Sequence, residues 1–203
     1  MNDYATEEQQ VEAIKSWWQE NGKAVVLFAV IGLGGLWGWR YYQSEVHVAK
    51  HIASDTYTQV VSALDANSKD AVAEAKTFID ANKDSQYAVL TALQLAKVQV
   101  DNKDLDGAVE QLQWVINHTK DDAILPLATT RLARIYAEQQ KFDEALAELK
   151  KVTVPSWKSK VAELRGDILL QKGDITGARE AYVEAQQEGS SPALQMKLDD
   201  LAQ

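Results

Sequence analysis

The chain has 203 residues, with 30 acidic side chains against 21 basic ones, a formal net charge of -9 and no cysteine. An acidic chain without a lysine or arginine cluster has no basic stripe to neutralise nucleic-acid phosphates, and anionic lipid surfaces repel it. Zero cysteines rules out a cysteine nucleophile and makes the chain indifferent to the redox compartment.

Residues 1–22 read as an acidic tail, in which Asp3, Glu7, Glu8, Glu12 and Glu20 oppose Lys15. The segment Ala24 to Trp39 then runs sixteen residues without a charge, and counting from Gly22 to Tyr42 gives twenty-one positions. At about 1.5 Å per residue that is roughly 30 Å, one hydrocarbon thickness. Trp17 and Trp18 precede the run, Trp37, Trp39, Tyr41 and Tyr42 close it, and Lys23 and Arg40 bracket it. These are the residues a membrane interface favours.

A buried core helix is also apolar all round, but it rarely carries aromatic belts and four glycines together. A cleavable signal peptide needs a basic n-region and a small-x-small site. Here the preceding tail is acidic, and the chain continues as Arg40-Tyr41-Tyr42-Gln43-Ser44-Glu45. Residues 23–42 are therefore expected to be an uncleaved transmembrane signal anchor. Lys15 and Lys23 on one side balance Arg40 and Lys50 on the other, so the positive-inside count leaves the orientation open. Within the run, Gly34 and Gly38 have the G-x-x-x-G spacing that lets a second helix approach closely, which makes them candidates for a helix contact in the membrane.

The first forty residues hold five acids and three bases, -2, which leaves -7 on the domain that follows, residues 43–203. The spacing predicts helices over Glu45–Leu64 and Ala71–Ala81, a divergent pair within 45–82, joined by the polar turn Asp65 to Asp70. His47 and His51 stand four apart on the first of these. Their segment, His47-Val48-Ala49-Lys50-His51, lacks the glutamate of H-E-x-x-H and places a lysine beside the pair, so no metal site is expected.

Three segments further on align by their turns: Lys103 to Ala108, Gln140 to Ala145 and Gly173 to Ala178, at spacings of 37 and 33. Twelve residues before each alanine sits another small residue, namely Ala96, Ala133 and Gly166. Small residues recurring at two places are what a helix-turn-helix unit needs where its antiparallel helices cross. In the middle copy Leu132, Tyr136, Leu149 and Val152 surround the crossing, while Gln99 in the first copy departs from the apolar pattern.

This pattern resembles the tetratricopeptide repeat, with first positions at Val89, Pro126 and Ser159 and repeats over about 89–122, 126–158 and 159–191. The expected fold is all-α, a single transmembrane helix followed by a solenoid of helical hairpins. A closing helix over 193–202 turns Leu194, Leu198 and Leu201 inward, as a solenoid end requires. In the related repeats the first helix of each unit faces a groove. That resemblance implies a partner groove lined by Lys97, Asp101, Arg134, Glu138, Asp167 and Gln171.

The whole chain is similar to the YfgM-type ancillary subunits of the bacterial SecYEG translocon. The resemblance lies in Tyr4 to Glu12 with Lys15 and Trp17-Trp18, in the glycine-rich span, and in the Tyr41-Tyr42 exit into repeats. It implies an inner-membrane protein with a cytoplasmic N-terminus and periplasmic repeats. It also implies association with SecYEG and a PpiD-type periplasmic chaperone, to assist proteins emerging from the channel. There is no G-x-S-x-G elbow, P-loop or dinucleotide fingerprint, so neither an enzyme nor a cofactor is expected. Two other readings stay open. One is a chaperone holding unfolded secretory clients directly, for which Leu90, Leu93 and Val100 would supply an apolar patch. The other is a general envelope scaffold unconnected with the translocon.

Overall fold

The computed structural model describes residues 7–189 and 191–201, and the side chains of residues 7–9, 13 and 44–53 lie outside the described residues. His47 and His51 fall in that last stretch. Every regular element among the described residues is helical.

The chain divides into two units, Met1–Ile52 and Ala53–Gln203. The described residues of the first all belong to helix α1 (Glu7–Asp65). The stretch Gln10–Gln43 is long and apolar enough to cross a membrane. Phe28, Leu33, Leu36, Trp37 and Trp39 are exposed along it. Trp37 stacks on Tyr41 with ring centroids 6.2 Å apart, and Trp39 leans on Tyr42 at 6.5 Å. The sequence suggested an apolar helix and a separate one starting at Glu45; the backbone makes one element of both. No glycine or proline occurs between Trp39 and Asp65, so nothing there breaks the hydrogen-bond ladder when the composition turns polar.

The second unit stacks helices in hairpins: α2 (Ala71–Ala81), α3 (Gln86–Asp101), α4 (Leu105–His118), α5 (Ile124–Glu138), α6 (Phe142–Leu149), α7 (Lys158–Lys172), α8 (Ile175–Glu188) and α9 (Pro192–Asp200), with a short 3-10 turn at Pro155–Trp157. Its core forms three patches. The first runs from Val60 and Leu64 at the end of α1 through α2 and α3 to Leu112 and Leu132. The second gathers Ala133, Ala145, Leu149 and Ile168, and the third Ala162, Ala178, Tyr182 and Leu194. Tyr136 packs against both the first and the second.

The small residues of the repeats lie where the helices cross. Ala108, Ala133, Ala145 and Ala178 are fully buried, and Ala96 nearly so. At Gly166 the approach is closest: a β-carbon built there would stand 2.3 Å from the Tyr182 ring. The position is glycine because the aromatic ring of α8 occupies the space a side chain would need.

The three hairpin turns share one backbone. Lys103, Gln140 and Gly173 all have positive φ, 62°, 60° and 88°. The next residue's N–H reaches back five residues in each, Asp104 to Gln99 O at 2.8 Å, Lys141 to Tyr136 O at 2.8 Å and Asp174 to Leu169 O at 2.9 Å. This is a Schellman closure, which satisfies the last carbonyls of the first helix. Two of the three turns then start the second helix with an aspartate cap, Asp104 accepting from the Gly107 N–H at 3.0 Å and Asp174 from Gly177 at 2.9 Å. Gln99, the departure in the first copy, is buried, and its amide donates to the same Asp104 at 3.1 Å. The cap thus supplies a partner for the amide nitrogen, while Gln99 Oε1 is buried without a hydrogen-bond partner.

Candidate partner groove

Helices α3, α5 and α7 are the first helices of their hairpins, and Lys97, Arg134 and Asp167 occupy the same position on each. Between α3, α4 and α5 lies a cleft of about 260 Å³. Leu93, Ala96, Val100, Leu112 and Ile135 form its floor, and Lys97, Asp101, Arg131 and Arg134 stand on its rim. Val100 is 39% exposed although apolar. The amphipathic pattern of α3 explains this: Leu95 and Val98 turn into the core, so Lys97 and Val100 face out of it.

The six groove residues read from the sequence are thus distributed unevenly. Lys97, Asp101 and Arg134 meet at the cleft. Glu138 is exposed one turn beyond Arg134, away from the cleft lining, and Gln171 is exposed in the last turn of α7. Asp167 is engaged within the chain: Tyr182 Oη donates to its carboxylate at 2.8 Å, and Lys197 Nζ approaches the same oxygen at 2.6 Å. Lys197 also reaches Glu163 Oε1 at 2.8 Å. Gly34 and Gly38 have nothing within 4 Å of where a β-carbon would stand, so that helix face is open.

Two residues escaped the sequence reading. Arg131 lies three before Arg134, a spacing that places both on one helix face and could have flagged it. Lys197 is the single basic residue of α9, a helix whose other charges, Asp199 and Asp200, are acidic.

The network around Lys197 changes how its members titrate. Burial, then the hydrogen bond to the Asp167 carboxylate and the negative charges of Asp167 and Glu163, hold the Tyr182 hydroxyl far above the ordinary tyrosine value. Burial alone would lower the Lys197 ammonium, but its hydrogen bonds and charge pairing with Asp167 and Glu163 outweigh that and raise it. Unfolded tyrosine and lysine release their protons near 10.0 and 10.5, while the folded chain keeps both to higher pH. The folded state therefore binds more protons in that window, and stability falls as pH rises. The contribution is fully present below about pH 10 and lost above it. Melting temperatures measured at about pH 9 and about pH 11 should show the drop, and Tyr182→Phe should make it smaller. An unchanged drop in that variant would remove Tyr182 from the account.

No group of three metal-ligating side chains gathers among the described residues. The profile described as "Tetratricopeptide repeat-like domain" matches residues 15–203. A protein of Escherichia coli (strain K12) named "Ancillary SecYEG translocon subunit" is 36% identical over 206 residues, covering 100% of both chains. One of Aggregatibacter actinomycetemcomitans with the same name is 35% identical, covering 96% of this chain and 97% of the other. Among solved structures, "MamA RS-1 ArsTM double mutant" aligns with a TM-score of 0.58 at 15% identity, covering 73% of this chain and 82% of that one. At that identity the likeness concerns the fold alone.

Proposed function

Because the chain belongs to the tetratricopeptide repeat-like family, and its full-length relatives in Escherichia coli and Aggregatibacter actinomycetemcomitans are named ancillary SecYEG translocon subunits, we propose that it serves that translocon as a membrane-tethered, non-enzymatic subunit. The observation carrying this reading is that the likeness runs the full length, through the apolar stretch of α1 as well as the repeats. In this reading residues 1–22 are cytoplasmic, 23–42 cross the inner membrane and 43–203 work in the periplasm. The groove on α3 and α5 takes up a PpiD-type chaperone, and the complex assists proteins emerging from the channel. A tether suits such work because it raises the effective concentration of a modest binding surface without tight contacts. The open face at Gly34 and Gly38 is the part of the span suited to a neighbouring membrane helix.

Photo-crosslinkers placed at Lys97 and Arg134 in cells, read by mass spectrometry, test the partner assignment. Crosslinks to SecYEG subunits and the chaperone are expected; crosslinks confined to wall-synthesis proteins would overturn the translocon reading. Since the chain has no cysteine, single cysteines report topology cleanly. A membrane-impermeant maleimide applied to spheroplasts should label Lys76→Cys and leave Glu12→Cys unlabelled, and the reverse pattern would invert the orientation.

A further inference from the structure

We propose that the part of α1 before the span carries an interaction surface of its own, an apolar stripe of Val11, Ile14 and Trp18 that docks the lysine- and arginine-rich cytoplasmic segment adjoining a membrane span of a neighbouring protein. The inference rests on the cytoplasmic placement of residues 1–22 proposed above and names the chemistry that meets them there.

The first support is depth. Positions 11, 14 and 18 follow one another at steps of three and four, so they share one face of α1. Val11 is 62% exposed and Ile14 68%. With the span beginning at Lys23, Ile14 stands nine residues before it and Val11 twelve. At about 1.5 Å per residue these separations are roughly 14 and 18 Å along the helix. The headgroup layer on one side of a bilayer takes up only about 5–8 Å. Both side chains therefore lie outside the bilayer even at a helix tilt of about 40°. The lipid that covers Phe28 and Leu33 does not reach them, and a protein surface has to.

The second support is order within the stripe. The Trp18 ring lies against Gly22, where an added β-carbon would stand 3.2 Å from it, and Gly22 is buried beneath. Asn21 Nδ2 donates to the Trp17 carbonyl at 3.0 Å in the same turn. Both indoles remain about half exposed. An indole face held in place in this manner attracts a lysine or arginine side chain.

The third support is charge. Residues 1–22 hold Asp3, Glu7, Glu8, Glu12 and Glu20 against Lys15, five acids and one base, a net charge of -4. Helices that lie on a bilayer surface carry lysine and arginine and are drawn to anionic lipid. This one has the opposite sign, and two copies side by side would repel each other for the same reason. Cytoplasmic loops of membrane proteins carry their excess of lysine and arginine within about 15–20 residues of a span. That is the depth at which the stripe stands. At about 100° per residue, Gly34 and Gly38 fall roughly 160° and 200° around the axis from Trp18. The stripe is thus on the side opposite the glycine face, and one can be altered without the other.

The test uses the full chain in phosphatidylcholine vesicles, with a donor dye on Gln19→Cys, its only cysteine. The probe is a designed peptide with a leucine-alanine span of about twenty residues, a flank of leucine and lysine, and an acceptor dye on the flank. Energy transfer should reach its midpoint at a peptide-to-lipid ratio at least about tenfold lower than for the same peptide with glutamate in place of lysine. Val11→Ser with Trp18→Ser, which leaves Ala24 to Trp39 intact, should raise that midpoint at least about tenfold. Should this variant insert less, Ile14→Ser replaces it and should shift the midpoint in the same direction. Glu12→Lys with Glu20→Lys, which takes the tail from -4 to 0, should also raise it. Glu74→Lys with Glu110→Lys, an equal change of charge on α2 and α4, should leave it unchanged. Equal transfer for the two flanks, or an equal shift in the control variant, would overturn the inference. So would stripe-dependent transfer between donor- and acceptor-labelled copies of the chain alone, which would assign the stripe to a second copy. Binding of the lysine flank together with external labelling of Glu12→Cys in spheroplasts would uphold the chemistry of the stripe and overturn the orientation proposed above.

Discussion

Tyr182→Ala is expected to destabilise the repeat domain by about 3–5 kcal/mol, the cost of truncating a large aromatic in a packed core. Its ring is 1% exposed, it belongs to the smallest core patch, and its hydroxyl donates to Asp167 at 2.8 Å. For a domain of this size the melting temperature should fall by roughly 10–15 °C. The neighbour of that ring supplies a sharper test. Glycine in an exposed helix interior is about 1 kcal/mol worse than alanine, so Gly166→Ala would ordinarily stabilise α7. Here the added carbon would meet the ring at 2.3 Å. The sign should reverse, to a loss of about 1–3 kcal/mol through overpacking. In the Tyr182→Ala background the ring is gone, and Gly166→Ala should become neutral or stabilising. Thermal denaturation of the two single variants and the double closes the cycle. Additive effects would mean that the two residues do not meet.

A chain beginning at Ala53 is expected to fold, and one beginning at Ala66 to unfold or aggregate. The first keeps Tyr57, Val60 and Leu64 and the second loses them. Leu64 is 1% exposed and Val60 5%, both belong to the largest core patch, and the Tyr57 ring meets Tyr87 at 5.2 Å. Losing two buried aliphatic side chains costs about 1.5–3 kcal/mol each, and it also bares the surface of α2 and α3 that they cover. Against a typical total of about 5–15 kcal/mol this is a large share of the stability. Size-exclusion chromatography and circular dichroism of the two fragments decide the matter. A stable, monomeric fragment from Ala66 would show that the end of α1 is dispensable.

Most of this architecture was legible because its determinants are local and periodic. Paired small residues such as Ala133 and Ala145 mark helix crossings whatever surrounds them, and both are fully buried. The all-helical solenoid followed from that spacing. The start of the helix read from Glu45 was less legible: α1 already runs through it, because glycine and proline, which interrupt a helical backbone, are absent between Trp39 and Asp65. The groove was harder to read. Repeat position picks out residues on one helix face, which leads to Lys97, Asp101 and Arg134. It says nothing about a side chain arriving from a distant element. Asp167 belongs to the same register but is held by Lys197, thirty residues further on, in a contact that only the packing of α9 creates. Gln99 is the same lesson in the core, a polar residue whose partner Asp104 is decided by the shape of the turn.

The division of the core into three patches has a bearing on how the domain comes apart. Among the described residues the patches hold eighteen, six and five buried side chains, in chain order. Repeat arrays open in pieces, and the piece with least buried surface opens at the lowest free energy. Breathing should therefore begin around α8 and α9, and the domain has a firm end and a soft end. The floor of the cleft, Leu93, Leu112 and Ile135, belongs to the firm one. Fraying at the far terminus can proceed without disturbing whatever the cleft holds.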